Sequence, residues 1–303
     1  MCYASHRDLN KNSLAALLLA KAFGWSKLSV VMENKGLFTD MGESLATSIR
    51  EDGNLTLVLF EKYFAVTESN TNTQDEADAE NNVQLEAVVS RLLENRVRVV
   101  LFAGYERTLA QLLCEASRRG FSGRKVVFVY ATFWINSDWW QEFAPFTRCT
   151  ADVLRKVGDG LLGIDRLRLA PDADGNHSGS DLAPSNIMVE YTARCSQLAG
   201  CSDMHAAYSY DAAWGWAFTL DRFLSAGNLI SDVDYLNSSA RTSFYRTELG
   251  KQDFRGLTGR VRHFPNGDRD GELQLFQLQN GSINLVASIV DQGRTTSWKP
   301  GVL

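Results

Sequence analysis

Nothing in this 303-residue sequence is apolar for long enough to cross a bilayer. A spanning helix needs ~18–20 consecutive apolar residues. The most apolar stretch, Leu14–Phe23, falls short and follows polar residues. No signal peptide is expected either, because Met1 is followed by Cys2, Tyr3 and His6 rather than by a basic segment and an apolar one. Lys and Arg do not cluster and the net charge is −5, which excludes a nucleic-acid footprint. Histidine is scarce: four, at positions 6, 177, 205 and 263, lie far apart. The five cysteines lack zinc-ligand spacing, so no metal site is expected. The GxSxG, HExxH and phosphate-loop motifs are missing, and no Ser/His/Asp set stands out. An enzyme therefore has no positive support, and no cofactor is implied.

Two motifs that are present dissolve on inspection. Gly158-Asp-Gly160-Leu-Leu-Gly163 matches GxGxxG, but it follows a helical pattern and enters a strand, the reverse of the dinucleotide-binding context. Asp172-x-Asp174-x-Asn176-x-Ser178 begins like a calcium loop, yet His177 holds the required glycine position and Ala183 the bidentate glutamate position.

What remains is an ordinary globular composition, 45% hydrophobic and 22% charged, with length enough for one or two domains. Apolar positions at Leu14, Leu17, Leu18 and Phe23 predict a helix over 12–23, closed by Gly24. A strand Lys27–Met32, a helix Leu37–Glu51 and a strand Leu55–Phe60 follow. The stretch Thr67–Asn82 is acidic, without apolar periodicity, and reads as a solvated surface loop. Helical spacing resumes at Leu85, Val88, Val89, Leu92 and Leu93.

The richest segment runs from Arg98 to Trp140. A buried strand, Val97–Ala103, ends at the aromatic Tyr105. A helix with Leu109, Leu112, Leu113 and Ala116 on one face leads through Gly120 and Gly123 to a second strand, Val126–Ala131, ending at Phe133 and Trp134. In parallel α/β sheets ligands bind just beyond the carboxyl ends of the strands. Tyr105 and Trp134 are therefore either ligand contacts at a cleft rim, suited to a small organic molecule with an ammonium group, or aromatic caps of the core.

Helices and strands alternate to about residue 165, which predicts an α/β fold with a doubly wound parallel sheet. A loop at Pro171–Gly179 and helices over Ala183–Leu198, His205–Leu224 and Asp232–Leu249 follow. The C-terminal strands Leu257–Phe264, Glu272–Gln279 and Ser282–Val290, separated by Asn-Gly and Asp-Gly type turns, read as an antiparallel meander. Cys114 and Cys149 are either buried thiols or, in an oxidising compartment, a pair. Four Asn-x-Ser/Thr sequons, at Asn54, Asn176, Asn237 and Asn280, fall in expected turns and are candidate glycosylation sites.

The order and spacing of several segments carry a resemblance. They are Phe23-Gly-Trp25-Ser-Lys-Leu, Val99–Cys114, Gly123-Arg-Lys-Val-Val-Phe, Trp134-Ile-Asn-Ser-Asp-Trp139, Cys149-Thr-Ala-Asp, Tyr210-Asp-Ala-Ala-Trp214, Phe254-Arg-Gly-Leu-Thr-Gly-Arg-Val and Gly267-Asp-Arg269. From His6 to Trp298 the chain resembles the extracellular ligand-binding region of class C G-protein-coupled receptors, most closely the GABA type B branch. That region has a bilobed Venus flytrap fold of the type I periplasmic-binding-protein kind.

The resemblance implies that residues 10–165 and 257–303 form lobe 2 and residues 166–256 part of lobe 1. It implies ligand contacts at Tyr105, Trp134 and His6, and a disulfide between Cys114 and Cys149. Cys195 and Cys201 would form any local pair, leaving Cys2 over. The part of lobe 1 that precedes His6 in the family is missing, so the first lobe is expected to be incomplete and to leave apolar surface exposed. His205 aligns with the family's acidic contact for the ligand amine and cannot offer a fixed negative charge there. The expected function is non-catalytic: binding of a small amino-acid-like ligand in the interlobe cleft with hinge closure. Signal transduction through a dimer with a related subunit and a G protein, on the extracellular side of the plasma membrane, follows from the resemblance. A soluble amino-acid-binding protein of the same fold is the alternative.

Overall fold

The computed structural model describes all residues except 1–8, 65–72, 133–134, 137, 176–178, 199–204, 230, 232–243, 245–246, 249, 264–268, 291–294 and 300–303. The chain divides into two compact units. The larger comprises Leu9–Asp165 and Leu273–Leu303, and the smaller contains Arg166–Glu272.

In the larger unit, strands β1 (Lys27–Glu33), β2 (Thr56–Tyr63), β3 (Val99–Ala103), β4 (Val127–Tyr130) and β5 (Leu162–Arg166) alternate with helices. The helices are α1 (Leu9–Ala22), α2 (Leu37–Glu51), α3 (Gln74–Glu94), α4 (Glu106–Arg118), α5 (Trp139–Phe143) and α6 (Ala151–Val157). Strands β8 (Leu273–Gln279), β9 (Ser282–Val290) and β10 (Thr295–Trp298) complete one eight-stranded sheet, ordered β10-β9-β8-β5-β4-β3-β1-β2. Parallel pairing runs from β2 through β1, β3 and β4 to β5. The last three strands form an antiparallel meander, of which β8 and β9 match the expected strands, whereas β10 was not expected. Leu161 accepts from Leu278 while Leu167 donates to Glu272, so β8 runs opposite to β5.

Residues of β3 are buried along its whole length, as a central parallel strand requires. Alternate side chains face two apolar layers. Val31, Val100, Phe102, Phe128 and Tyr130 pack with α3, α4, α5 and α6, whereas Val30, Met32, Val99, Leu101 and Val129 pack with α1 and α2. That is the doubly wound arrangement. The bounds of α2 coincide with those read from periodicity, and Gly24, at φ 66°, closes α1 as its position predicts.

Three expectations are corrected. The acidic stretch is not all loop: α3 begins at Gln74, and Ala77, Asp78, Asn81 and Asn82 are buried. Thr73 caps this helix by accepting from the Glu76 amide at 3.2 Å. The strand expected from Leu257 begins instead at Gly259. Leu257 and Thr258 form the turn of a separate hairpin, β6 (Asp253–Gly256) with β7 (Gly259–Arg262). Gly259 sits at φ 84°, which a residue with a Cβ would adopt only under strain. The return to the larger unit falls at Glu272/Leu273, later than the 257 expected, because the β6–β7 turn is bonded to the smaller unit's own helix.

That helix, α8 (Ala206–Ser225), and α7 (Pro184–Cys195) are the labelled helices of the smaller unit. Asp211 of α8 is buried and its carboxylate accepts from the amides of Leu257 (2.6 Å) and Thr258 (2.9 Å) and from the Thr258 hydroxyl. Arg269 lies 3.7 Å from the same carboxylate. Rings on one face of α8 form a column, Tyr210, Trp214 and Phe218, that meets Phe254 of β6. Of the helix expected over Asp232–Leu249, most lies outside the described residues, and Phe244, Thr247 and Glu248 are helical.

Candidate functional site

The strand order β2-β1-β3-β4-β5 reverses between β1 and β3. In an open α/β sheet this switch point, just outside the carboxyl ends of the strands, is where connecting loops diverge and leave a crevice. Tyr105 stands there. It is the N-cap residue of α4, two positions beyond β3, and 40% exposed. Phe38, from the start of α2, meets its ring edge-on with centroids 4.7 Å apart, and the Lys35 ammonium lies 5.1 Å from the ring centre. Both neighbours come from the segment after β1, so the ring is supported from the adjoining strand end.

The backbone beneath the ring is held equally firmly. The Gly104 carbonyl accepts from the Tyr130 hydroxyl (2.9 Å) and the Thr132 hydroxyl (3.0 Å) at the end of β4. The Tyr105 amide donates to a carboxylate oxygen of Glu33, the last residue of β1, at 3.1 Å. The Thr108 hydroxyl donates to the same oxygen at 3.0 Å. Burial pushes the Tyr130 phenol's pKa well up, so it stays a neutral donor. Tyr63, at the end of β2, is buried with its hydroxyl unbonded. Burial and then the nearby Glu33 and Asp78 carboxylates raise its pKa as well. Asp78 is engaged by Arg107 and by Gln111 at 3.1 Å, and Arg107 lies over the Phe146 ring. These buried acids therefore have internal partners, and among the described residues no group of His, Cys, Asp or Glu is arranged to hold a metal.

Cys114 of α4 and Cys149, just ahead of α6, form a disulfide spanning 35 positions. Beside it Arg148 reaches Glu86 of α3 (3.4 Å) and Glu115 of α4 (3.6 Å). Burial raises the Glu115 carboxyl's pKa, whereas Arg119 and then Arg148 lower that of Glu86. Cys195 is disulfide-bonded too; Cys2 and Cys201 lie outside the described residues.

In the smaller unit His205 is the N-cap residue of α8. With Tyr191, Ala206, Ser209 and Tyr210 it lines an open cavity of about 410 Å³. Its described walls are two phenol rings, an imidazole, a hydroxyl and a methyl group. Trp134 and His6 lie outside the described residues, as do Asn176 and Asn237. Asn54 and Asn280 are both exposed, in the turn before β2 and in the tight β8–β9 turn. Sequence reasoning missed Glu33, Lys35 and Phe38. The available signal was a lone acid ending a strand that is otherwise buried, followed directly by the turn into α2.

Among the described residues no helix is long and apolar enough to cross a membrane. The family model for the receptor family ligand-binding region matches residues 4–281. Two proteins of Caenorhabditis elegans are similar over most of the chain. Gamma-aminobutyric acid type B receptor subunit 1 is 21% identical over 294 residues, 94% of this chain and 30% of its own length. Subunit 2 is 22% identical over 273 residues, 89% of this chain and 28% of its own length. The chain thus spans under a third of the relatives it matches. The mixed α/β build around a largely parallel sheet is that of the periplasmic-binding-protein-like fold. With the family model covering nearly its whole length, the chain belongs to the receptor family ligand-binding region, a family that binds ligands rather than converting them.

Proposed function

We propose that this chain is ligand-binding ectodomain from a GABA-B-like class C receptor, taking a small amino-acid-type ligand in an interlobe cleft that closes by hinge motion. Ligand binding biases an open–closed equilibrium, and only a ligand with greater affinity for the closed state can do so. The observation that carries the reading is the Tyr105 ring, propped by Phe38 and half-exposed at the sheet's switch point. A ring face offers an ammonium group about 0.5–2 kcal/mol. Trp134 and His6 are proposed as further contacts, and His205 as the contact in the smaller unit. An imidazole at 205 supplies no fixed negative charge, so the ligand's amine is read elsewhere than in the family's acidic position. In the whole receptor a related subunit and a G protein relay closure from the extracellular side of the membrane. The disulfide and the exposed sequons at Asn54 and Asn280 suit that compartment.

The test is calorimetric titration with a panel of amino acids that includes γ-aminobutyrate, glycine and L-glutamate. At least one should bind, and Tyr105→Ala should weaken it roughly 2–30-fold. A panel without a binder, or affinity indifferent to Tyr105→Ala, would remove the reading.

A further inference from the structure

The Tyr105 ring is aimed by a single peptide unit, 104–105, held at both ends by side chains from the two strands that flank β3. Its carbonyl takes two hydroxyls from the end of β4, at 2.9 and 3.0 Å. Its amide points into the Glu33 carboxylate from the end of β1, at 3.1 Å. Only a glycine fits at 104: a Cβ there would stand 2.6 Å from the Phe102 ring and 3.2 Å from the Glu33 Cβ. With the peptide plane held at both ends and the Tyr105 φ set at −79° by the start of α4, the Tyr105 Cα–Cβ direction is fixed, and Phe38 sets where the ring stops.

Glu33 is the unusual member of this clamp. It is 2% exposed, and among the described residues no basic side chain forms an ion pair with it. A buried carboxylate costs free energy that an apolar residue would not, unless hydrogen bonds to the charge offset it. The bonds it accepts are from the amide of Tyr105 and the hydroxyl of Thr108, both in the opening turn of α4, whose dipole also favours a negative charge. An ordinary side-chain cap is supplied by the N-cap residue itself. Tyr105 has no such side-chain bond, and the cap arrives instead from another strand.

We propose that Glu33 is the positioning residue for Tyr105: by capping α4 across the switch point, it fixes the ring in its ligand-facing orientation. The orientation stands independently of the proposed function; only its consequence for affinity rests on that reading. The two are therefore measured separately.

The test uses nuclear magnetic resonance of the ligand-free, isotope-labelled full chain, reading the contact between the Tyr105 and Phe38 rings. Glu33→Gln keeps an oxygen acceptor and should keep that contact. Glu33→Met keeps the length and fills the space without accepting, and should lose it, while Thr108→Val, which leaves the Tyr105 amide bonded, should not. A contact that survives Glu33→Met overturns the proposal, and so does one lost equally in Glu33→Gln. Should Glu33→Met fail to fold, hydrogen exchange at the Tyr105 amide decides. Protection in the native chain and in Glu33→Gln is expected, and an unprotected native amide overturns the proposal. In the second arm, the panel amino acid that binds should do so roughly 2–30-fold more weakly to Glu33→Met, the size of the ring contact itself. If the ring moves and affinity does not, the positioning role stands and the Tyr105 contact is the claim that falls.

Discussion

The two units of this molecule are stabilised by different means. Every residue of both apolar clusters belongs to the larger unit, which buries them on the two faces of one sheet. In the smaller unit the described buried apolar residues are Leu167, Ala170, Pro184, Ala207, Tyr208, Leu257 and Val261, whereas Val189 is 69% and Leu198 66% exposed. Apart from the ring column that carries α8 to Phe254, what joins its segments is polar. Asp211 gathers the β6–β7 turn and Arg269, Gln252 bonds Gly215 and Thr219 of α8, and the Tyr208 hydroxyl bonds the Leu167 carbonyl at 2.7 Å. Apolar contacts tolerate rearrangement, because any well-shaped neighbour will serve. A buried polar network does not, because each group has one acceptable partner and an unpaired one is costly. The larger unit should therefore absorb single substitutions better than the smaller one.

Asp211→Ala should break the comparison most sharply. It removes four interactions at once and strands Arg269, whose side chain burial already disfavours as a cation and which the Asp211 charge offsets. Breaking a buried pair on one side costs roughly 3–5 kcal/mol. Hydrogen exchange should then show α8 and the β6–β7 hairpin losing protection while β1 and β3 keep theirs. Equal loss in β3 would mean that the two units do not open separately.

How much of this was legible in the sequence differs between the units for the same reason. Apolar periodicity located α2, β1, β3 and the doubly wound parallel character of the sheet, because buried strands and amphipathic helices leave local patterns. It put Tyr105 at a strand end, and the ring is there. It missed the first turns of α3. Asp78, buried in that helix, finds its partners Arg107 and Gln111 in α4, and no local pattern reports partners so far along the chain. Glu33 escaped for that reason too, since its partner is the amide of Tyr105. The Asp211 network joins residues more than forty positions apart. The quoted Tyr210-Asp-Ala-Ala-Trp214 motif contained its centre without revealing what it does.

The larger unit also carries a covalent staple, and removing it sharpens the contrast. Replacing Cys114 and Cys149 together by Ala reopens a 35-residue separation. Loop-closure arguments assign such a link about 2–4 kcal/mol. Thermal unfolding should show that loss in the transition of the larger unit, with exchange protection of α8 unchanged. Because α4 and α6 also pack around Leu112, Leu154 and Trp139, the unit should remain folded at room temperature. A disulfide-free chain whose larger unit is unfolded would show the apolar layers to be weaker than their extent implies.

The smallest effect is expected where sequence and structure disagreed most. Thr73 opens α3, its hydroxyl accepting from the Glu76 amide, and Asp75 and Glu76 put negative charge against the helix's positive end. Thr-x-x-Glu is the spacing of a capping box, so a start signal was present inside the stretch that composition alone assigns to solvent. Thr73→Ala should cost about 1 kcal/mol, the ordinary value of such a cap. The loss should appear as faster exchange at Ala77 and Asp78 and not at Val88 or Leu92, which the apolar cluster pins. A uniform rise along all of α3 would mean that the cap nucleates the whole helix. No rise at all would mean that the buried Asp78–Arg107 pair, rather than the cap, holds the first turns.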